Sequence, residues 1–240
     1  MNAPRSPRGA TAAVLAGGLG TRLRAVVPGR QKALAPVGGR PFVAHVLDWL
    51  ADAGLAQVVL CTGYLGEQVR ETLGDAYRGL RLVHSREPEP LGTGGALRFA
   101  LPHLDGDPVL VVNGDSLCRA SLAALWARHL ACAACGTLVV TPVPDVGRYG
   151  RVEVGKNDRV LRFEEKAAIG GGGWVSAGVY LLSRDLVASI PGGKPVSLER
   201  EVFPAWVGRG LHAHPVAESF VDIGTPDAYA AAGTALAHEP

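Results

Sequence analysis

The chain has 240 residues, 48% of them hydrophobic and 19% charged, with a formal net charge of +2. That length suits one large domain with a full core, and so small a charge excludes a broad polyanion-binding surface, so nucleic acid is not an expected partner. Apolar stretches are interrupted by Gly, Pro or charge within about a dozen residues, short of the roughly 20 that a membrane span needs. The start, MNAPRSPRGA, lacks the apolar segment of a secretory leader. Four cysteines (Cys61, Cys118, Cys132 and Cys135) fit a reducing compartment, and the expected location is cytoplasmic, away from membranes.

The first element is the apolar run 12–17, AAVLAG, which opens the segment AAVLAGGLGTRLRAVVPGRQKAL. A buried strand feeding a glycine-rich turn presents backbone N–H groups to an anion, and Arg22 and Lys32 follow with no acidic residue between them. A nucleoside triphosphate fits this pattern, although glycines alone do not distinguish it from a tight turn that binds nothing. Two nucleotide-binding alternatives fail on residue type. Gly20 is followed by Thr21 and Arg22, not by the Lys-Ser/Thr of a Walker loop, and Leu23 stands where a dinucleotide fingerprint requires its third glycine.

Four further strands are predicted at 57–63, 80–85, 108–115 and 136–143, with helices near 41–53, 65–73, 93–101 and 119–131 between them. Pro41 opens the first helix and Gly54 stops it. Near-continuous apolar strands alternating with helices imply an α/β fold, a mostly parallel mixed sheet covered on both faces, with ligands at the carboxyl ends of the strands. Cys132 and Cys135 form C-x-x-C without a second pair for zinc or a thioredoxin-like context, so they read as small, partly buried residues near a helix end.

After residue 145 the texture changes to a hairpin, RVEV and RVLRFEEK around the turn GKND, then a glycine run at 170–173 and the strand WVSAGVYLL. The run reads as a flexible loop, and the late β elements as a small lobe over the edge of the site. His212 and His214 fall at same-face strand spacing. Ser197 is placed to cap a helix through EREVFPAWV, and Thr225 with Pro226 begins the last one. Asp115 and Asp222 each follow an apolar run at a strand end. Singly each reads as a turn former; as a pair without Cys or His neighbours they suit a hard cation shared with phosphates.

Taken in order, LAGGLGTRL, Lys32 in QKALAP, LGTGGAL, NGD, FEEK, SAGVYLL and FVDIGTP resemble the sugar-1-phosphate nucleotidyltransferases from about residue 11 to residue 230. The resemblance implies a single Rossmann-like domain in which residues 11–143 bind nucleotide and 144–240 bind sugar, preceded by a flexible tail at 1–10. It implies a reaction in which a sugar 1-phosphate oxygen attacks the α-phosphorus of an NTP and pyrophosphate leaves. Leu15, Ala16, Gly17, Gly18, Gly20 and Thr21 would line the nucleotide loop, with Arg22 and Lys32 neutralising phosphate charge. Asp115 and Asp222 would hold Mg²⁺.

The same resemblance gives Asn113, Gly150, Arg151, Glu165, Lys166, Ser176, Ala177 and Gly178 to the sugar phosphate. Without that context Glu165 and Lys166 read as a solvated strand end. The base would lie near SREPEPLGTGGA, where Gly92, Thr93 and Gly94 allow close approach. Glu87 is a suitable acceptor for a base with a ring N–H, guanine or uracil alike, or else a solvated carboxylate. EPLGTGGA, SAGVYLL, SLEREVFP and VDIGTP together are similar to guanylyltransferases acting on D-glycero-α-D-manno-heptose 1-phosphate, which favours GTP. Uridylyltransferases acting on N-acetylmuramate 1-phosphate or glucose 1-phosphate share the first half. A non-catalytic paralogue would be expected to lack Arg22, Lys32, Asp115 or Asp222, and all four are present. A homodimer is left open. One residue departs from the family pattern: Gln31 stands where proline commonly precedes the lysine, which predicts a looser loop.

Overall fold

The structure is a computed structural model that describes residues 6–147, 149–165 and 171–237, the side chain of Glu165 excepted. Its strands begin with β1 (Thr11–Ala16), the short β2 (Pro36–Val37) and β3 (Arg40–Pro41), and β4 (Gln57–Thr62). Then come β5 (Ala76–Tyr77), β6 (Leu80–Arg86), β7 (Val109–Asn113), β8 (Ser116–Cys118) and β9 (Gly136–Val143). The last five are β10 (Gly150–Val154), β11 (Val160–Glu165), β12 (Gly173–Leu182), β13 (Leu211–Pro215) and β14 (Phe220–Asp222). Helices α1 (Phe42–Asp52), α2 (Gly66–Leu73), α3 (Gly92–Ala100) and α4 (Leu122–Ala131) connect the early strands. Helices α5 (Arg184–Ser189), α6 (Phe203–Trp206) and α7 (Pro226–Ala237) follow later.

One sheet runs β11-β10-β12-β7-β1-β4-β6-β5, with β9 bridging β12 and β13. The stretch β7-β1-β4-β6 is parallel throughout. Its strands are apolar on both faces because both are covered. Ala12, Val14, Val58, Leu60, Leu110 and Val112 enter one core with Phe42, Val46, Leu47 and Leu50 of α1. Ala13, Val59, Cys61, Val109 and Val111 enter the other with Ala96, Leu97 and Ala100 of α3. Each such buried branched side chain contributes about 1.5–3 kcal/mol relative to exposure. Ser121, the N-cap of α4, accepts from the Ala124 amide at 3.3 Å, and Thr225 does the same for Ala228 at 3.3 Å before α7.

The late hairpin is continuous with the main sheet. Strand β12 pairs antiparallel with β7 through Val179↔Val112 to Leu182↔Val109, so β10 and β11 extend the main sheet beyond it. The cause lies in the second half of β12, whose residues from Ala177 to Leu182 are buried and need a partner on each side. Ser197 caps as expected, its Oγ 3.2 Å from the Arg200 amide, but Leu198–Val202 winds as a π turn before α6. Residues 1–5 of the expected tail lie outside the described residues. Pro7 to Ala10 form a turn closed by the Ala10 N–H on the Pro7 carbonyl, and the Gly9 N–H donates to Gly54. Among the described residues no helix is long and apolar enough to cross a membrane.

Candidate active site

The carboxyl ends of β1, β4, β6 and β7 meet at one edge of the parallel stretch, where two cavities adjoin through a common wall. The first, about 300 Å³, is lined by Leu15, Gly17, Gly18, Glu87, Gly92, Thr93, Asn113 and Asp115, with Cys61 on its floor. The second, about 270 Å³, is lined by Arg22, Lys32, Thr93, Asn113, Asp115, Gly150, Ser176, Gly178 and Asp222. Thr93, Asn113 and Asp115 belong to both and form the shared wall.

Asp115 sits where β7 turns into β8. The turn is pinned on one side by the Gly114 N–H on the Leu15 carbonyl at 2.9 Å, and on the other by the Ile223 N–H on the Asp115 carbonyl at 3.1 Å. Because β14 pairs with β8 as Asp222↔Ser116, the two carboxylates leave adjoining strands toward the same cavity. Lys32 Nζ lies 2.5 Å from Asp115 Oδ2. Asp222 accepts from the Gly224 N–H at 2.7 Å and from the Tyr149 hydroxyl at 2.5 Å. A methyl group placed on Gly224 would stand 3.7 Å from both an Arg22 guanidinium nitrogen and Lys32 Nζ, and 2.9 Å from Asp222 Oδ1. Two cations and two carboxylates thus converge around one point.

Glu87 follows β6 and is 8% exposed. Its Oε2 accepts from the Leu91 amide at 3.1 Å, and Oε1 lies 2.8 Å from where a side chain on Gly17 would begin, so Gly17 is needed for that approach. Burial raises the Glu87 pKa above its ordinary value, opposed by the Leu91 hydrogen bond. Burial, reinforced by the charge of Glu87, pushes the Cys61 thiol up to about 12, which leaves it inert as a nucleophile. In the second cavity Gly178 takes φ +73°, and a methyl there would fall 2.6 Å from Ser116 Oγ and 2.8 Å from Asn113 Nδ2. Asn113 Oδ1 and Ser116 Oγ are buried with no hydrogen-bond partner among the described residues.

Several expected site residues lie elsewhere. Arg151 is exposed with Glu153, Arg162 and Glu164 on the other face of the β10–β11 hairpin, because strand side chains alternate and its neighbour Gly150 takes the cavity side. Ala177 is fully buried in the core while Ser176 and Gly178 beside it line the cavity. Gly94 spends its N–H on the Val196 carbonyl at 2.9 Å, joining α3 to the turn before Ser197. Ala16, Gly20 and Thr21 shape the loop without lining either cavity; Gly20 takes φ +58° and its carbonyl accepts from the Leu23 and Arg24 amides. The Glu165 backbone pairs with Gly150, whereas its side chain and all of Lys166 lie outside the described residues.

Gln31 overturns the expected looseness. It is 1% exposed, its Oε1 accepts from the Ala33 amide at 2.6 Å, and its Nε2 donates to the Ala16 carbonyl. Sequence reasoning also missed Ser116, Tyr149 and Glu199. Thr93 Oγ1 donates to Glu199 Oε2 at 2.6 Å and accepts from the Leu198 amide at 2.9 Å, which ties the start of α3 to the SLEREVFP segment. That motif was read only for its resemblance and its helix cap, and the tyrosine before Gly150 had no assigned role.

As a metal site, this arrangement offers two carboxylates and unpartnered neutral oxygens, and among the described residues no three His, Cys, Asp or Glu side chains converge. Such a hard and incomplete donor set fits a cation that shares its shell with phosphate oxygens and water, and does not fit a closed structural site.

A family model described as nucleotidyl transferase matches residues 11–239. The D-glycero-alpha-D-manno-heptose 1-phosphate guanylyltransferase of Aneurinibacillus thermoaerophilus is 33% identical over 228 residues, which cover 95% of this chain and 98% of that protein. A mannose-1-phosphate guanylyltransferase of Mycobacterium tuberculosis is 37% identical over 220 residues, covering 90% of this chain but 61% of the longer relative. Among solved structures, HddC from Yersinia pseudotuberculosis complexed with GMP-PN matches with a TM-score of 0.83 at 27% identity, covering 95% of this chain and 99% of that one.

Proposed function

The chain belongs to the nucleotidyl transferase family, and from that premise we propose that it transfers the guanylyl group of GTP to a sugar 1-phosphate, with D-glycero-α-D-manno-heptose 1-phosphate as the favoured acceptor. The observation that carries this reading is the wall shared by the two cavities, Thr93, Asn113 and Asp115. A nucleotide in the first cavity and a sugar phosphate in the second bring their phosphates together at that wall.

Guanine presents N1–H and N2–H donors, and Glu87 supplies a buried acceptor already oriented by the Leu91 amide. The α-phosphate then lies beside Asp115, with Arg22 and Lys32 against the phosphates that leave. An oxygen of the sugar 1-phosphate attacks the α-phosphorus in line. The new P–O bond forms as the bond to the β-phosphate bridging oxygen breaks, and pyrophosphate departs with that electron pair. No enzyme nucleophile takes part, so the residues contribute alignment and charge neutralisation. Asp115 and Asp222 would hold Mg²⁺, which when bound supplies neutralisation of phosphate charge and a template for the two substrates. The side chains that set the sugar's orientation are Ser176, Asn113 and the wall at Gly178.

A second acceptor, mannose 1-phosphate, is favoured by the 37% identity to a mannose-1-phosphate guanylyltransferase; the nearly complete mutual coverage with the heptose enzyme favours the heptose. Pyrophosphate release with GTP, UTP, CTP, dTTP and ATP against a panel of sugar 1-phosphates tests the assignment. Highest kcat/KM with GTP and the heptose is expected. Strict use of UTP overturns the base assignment, and no release with any pair overturns the enzyme reading.

A further inference from the structure

Gln31, the residue that departs from the family pattern, sits at the base of the loop 17–30 that carries the glycine turn and Arg22. Its backbone angles, φ −63° and ψ 135°, are ones a proline would adopt, so restriction of φ alone would hold the same course. Here hydrogen bonds hold it. The side-chain Nε2 donates to the Ala16 carbonyl at the end of β1, and Oε1 accepts from the Ala33 amide at 2.6 Å, just beyond Lys32. The Gln31 N–H donates to Gln68 Oε1 of α2 at 2.9 Å, and Gln68 Nε2 donates to the Gly29 carbonyl at 2.9 Å. Two amide side chains thus close the loop from both sides, one buried beneath it and one clasping it from α2.

We propose that Gln31 and Gln68 form a positioning clamp that fixes the distance between the phosphate-wrapping turn at Gly17 and Gly18 and the ammonium of Lys32. The clamp rests on the guanylyltransferase reading for its catalytic consequence. Ala16 directly precedes the turn and Lys32 directly follows Gln31, so the Gln31 side chain ties together the two groups that must grip one triphosphate. Lys32 gains a fixed direction from it, toward Asp115 Oδ2 at 2.5 Å. Neither glutamine touches the reacting atoms.

The test compares full-length wild type with Gln31→Ala, Gln68→Ala and the double variant in two measurements, steady-state kinetics and tryptic cleavage of the native chain at Arg22, Arg24 and Arg30. Displacing a group that grips the phosphates is expected to lower kcat by about 10- to 100-fold in Gln31→Ala, with KM for the sugar 1-phosphate unchanged. Cleavage within 17–30 should quicken in both single variants, and the double variant should be no worse than Gln31→Ala because the two residues act as one device. Wild-type kcat and wild-type cleavage in Gln31→Ala would overturn the clamp. So would a lowered melting temperature with kcat per folded molecule unchanged, which is a purely structural role. If Gln31→Ala does not fold, the half-exposed Gln68→Ala decides by the same two measurements. Should the wild type itself release no pyrophosphate, the guanylyltransferase reading fails, and the cleavage rates alone decide whether the clamp holds the loop.

Discussion

Replacing Glu87 by Gln keeps the shape of the side chain and removes one negative charge at the position proposed to read the base. The Leu91 amide, now 3.1 Å from Oε2, would take the new amide's only oxygen and turn its NH₂ toward the donors of guanine. A hydrogen bond to a charged acceptor contributes about 1.5–3 kcal/mol, which at about 1.4 kcal/mol per decade is roughly a 10- to 150-fold rise in KM for GTP. Rate at saturating GTP should change little, because Glu87 does not touch the α-phosphate. Wild type should prefer GTP over ITP, which lacks the N2 amino group, and the variant should lose that preference. The same substitution should not lower the melting temperature of the unliganded protein. Burial raises the Glu87 pKa, so the folded state binds its proton more readily than the unfolded state, and the ionised group opposes folding increasingly as pH rises through its ordinary value of 4.5 and beyond. GTP binding should have the opposite pH dependence, weakening as pH falls through the raised pKa and the acceptor is protonated. An unchanged GTP/ITP/UTP profile in the variant would refute the reasoning.

Asp115→Asn and Asp222→Asn should each lower turnover at limiting Mg²⁺ by more than the roughly 10- to 100-fold typical of losing an outer-shell partner, with circular dichroism unchanged. Near-wild-type rates with an unaltered Mg²⁺ requirement would contradict their assignment. Gly178→Ala forces a left-handed residue and a 2.6 Å contact on Ser116 Oγ; the strain of about 1–2 kcal/mol should lower the melting temperature by about 2–8 °C and raise KM for the sugar 1-phosphate, and a wild-type KM would separate that wall from the sugar site. Arg151→Ala should leave all kinetic constants unchanged, since Arg151 faces away from the cavity; a raised sugar-phosphate KM would return it to the site.

The parallel half of the sheet was legible because its strands are apolar on both faces and because Pro41 and Gly54 bound its first helix. Gly17, Gly18, Arg22, Lys32, Asp115 and Asp222 were legible as a candidate group because phosphate chemistry calls for those residue types at strand ends, and each lines one of the two adjoining cavities. What stayed hidden depends on pairing over distance. Ala177 looked like its neighbours Ser176 and Gly178 until the irregular register of β12 between Ser176 and Tyr180 set which face each takes. Arg151 was misplaced for want of knowing which side of β10 is covered. The roles of Gln31 and Tyr149 rest on partners far along the chain, Ala16, Gln68 and Asp222, and no local pattern records such pairs. The antiparallel seating of β12 on β7 was hidden for the same reason.

Direct transfer at the wall of Thr93, Asn113 and Asp115 has a stereochemical consequence. Incubation of the protein with a single diastereomer of GTP bearing sulfur on the α-phosphorus, together with the sugar 1-phosphate, fixes the course of the reaction through the configuration of the nucleotide-sugar product. One in-line displacement predicts inversion at the α-phosphorus. Retention would require a guanylylated enzyme intermediate and would contradict the account.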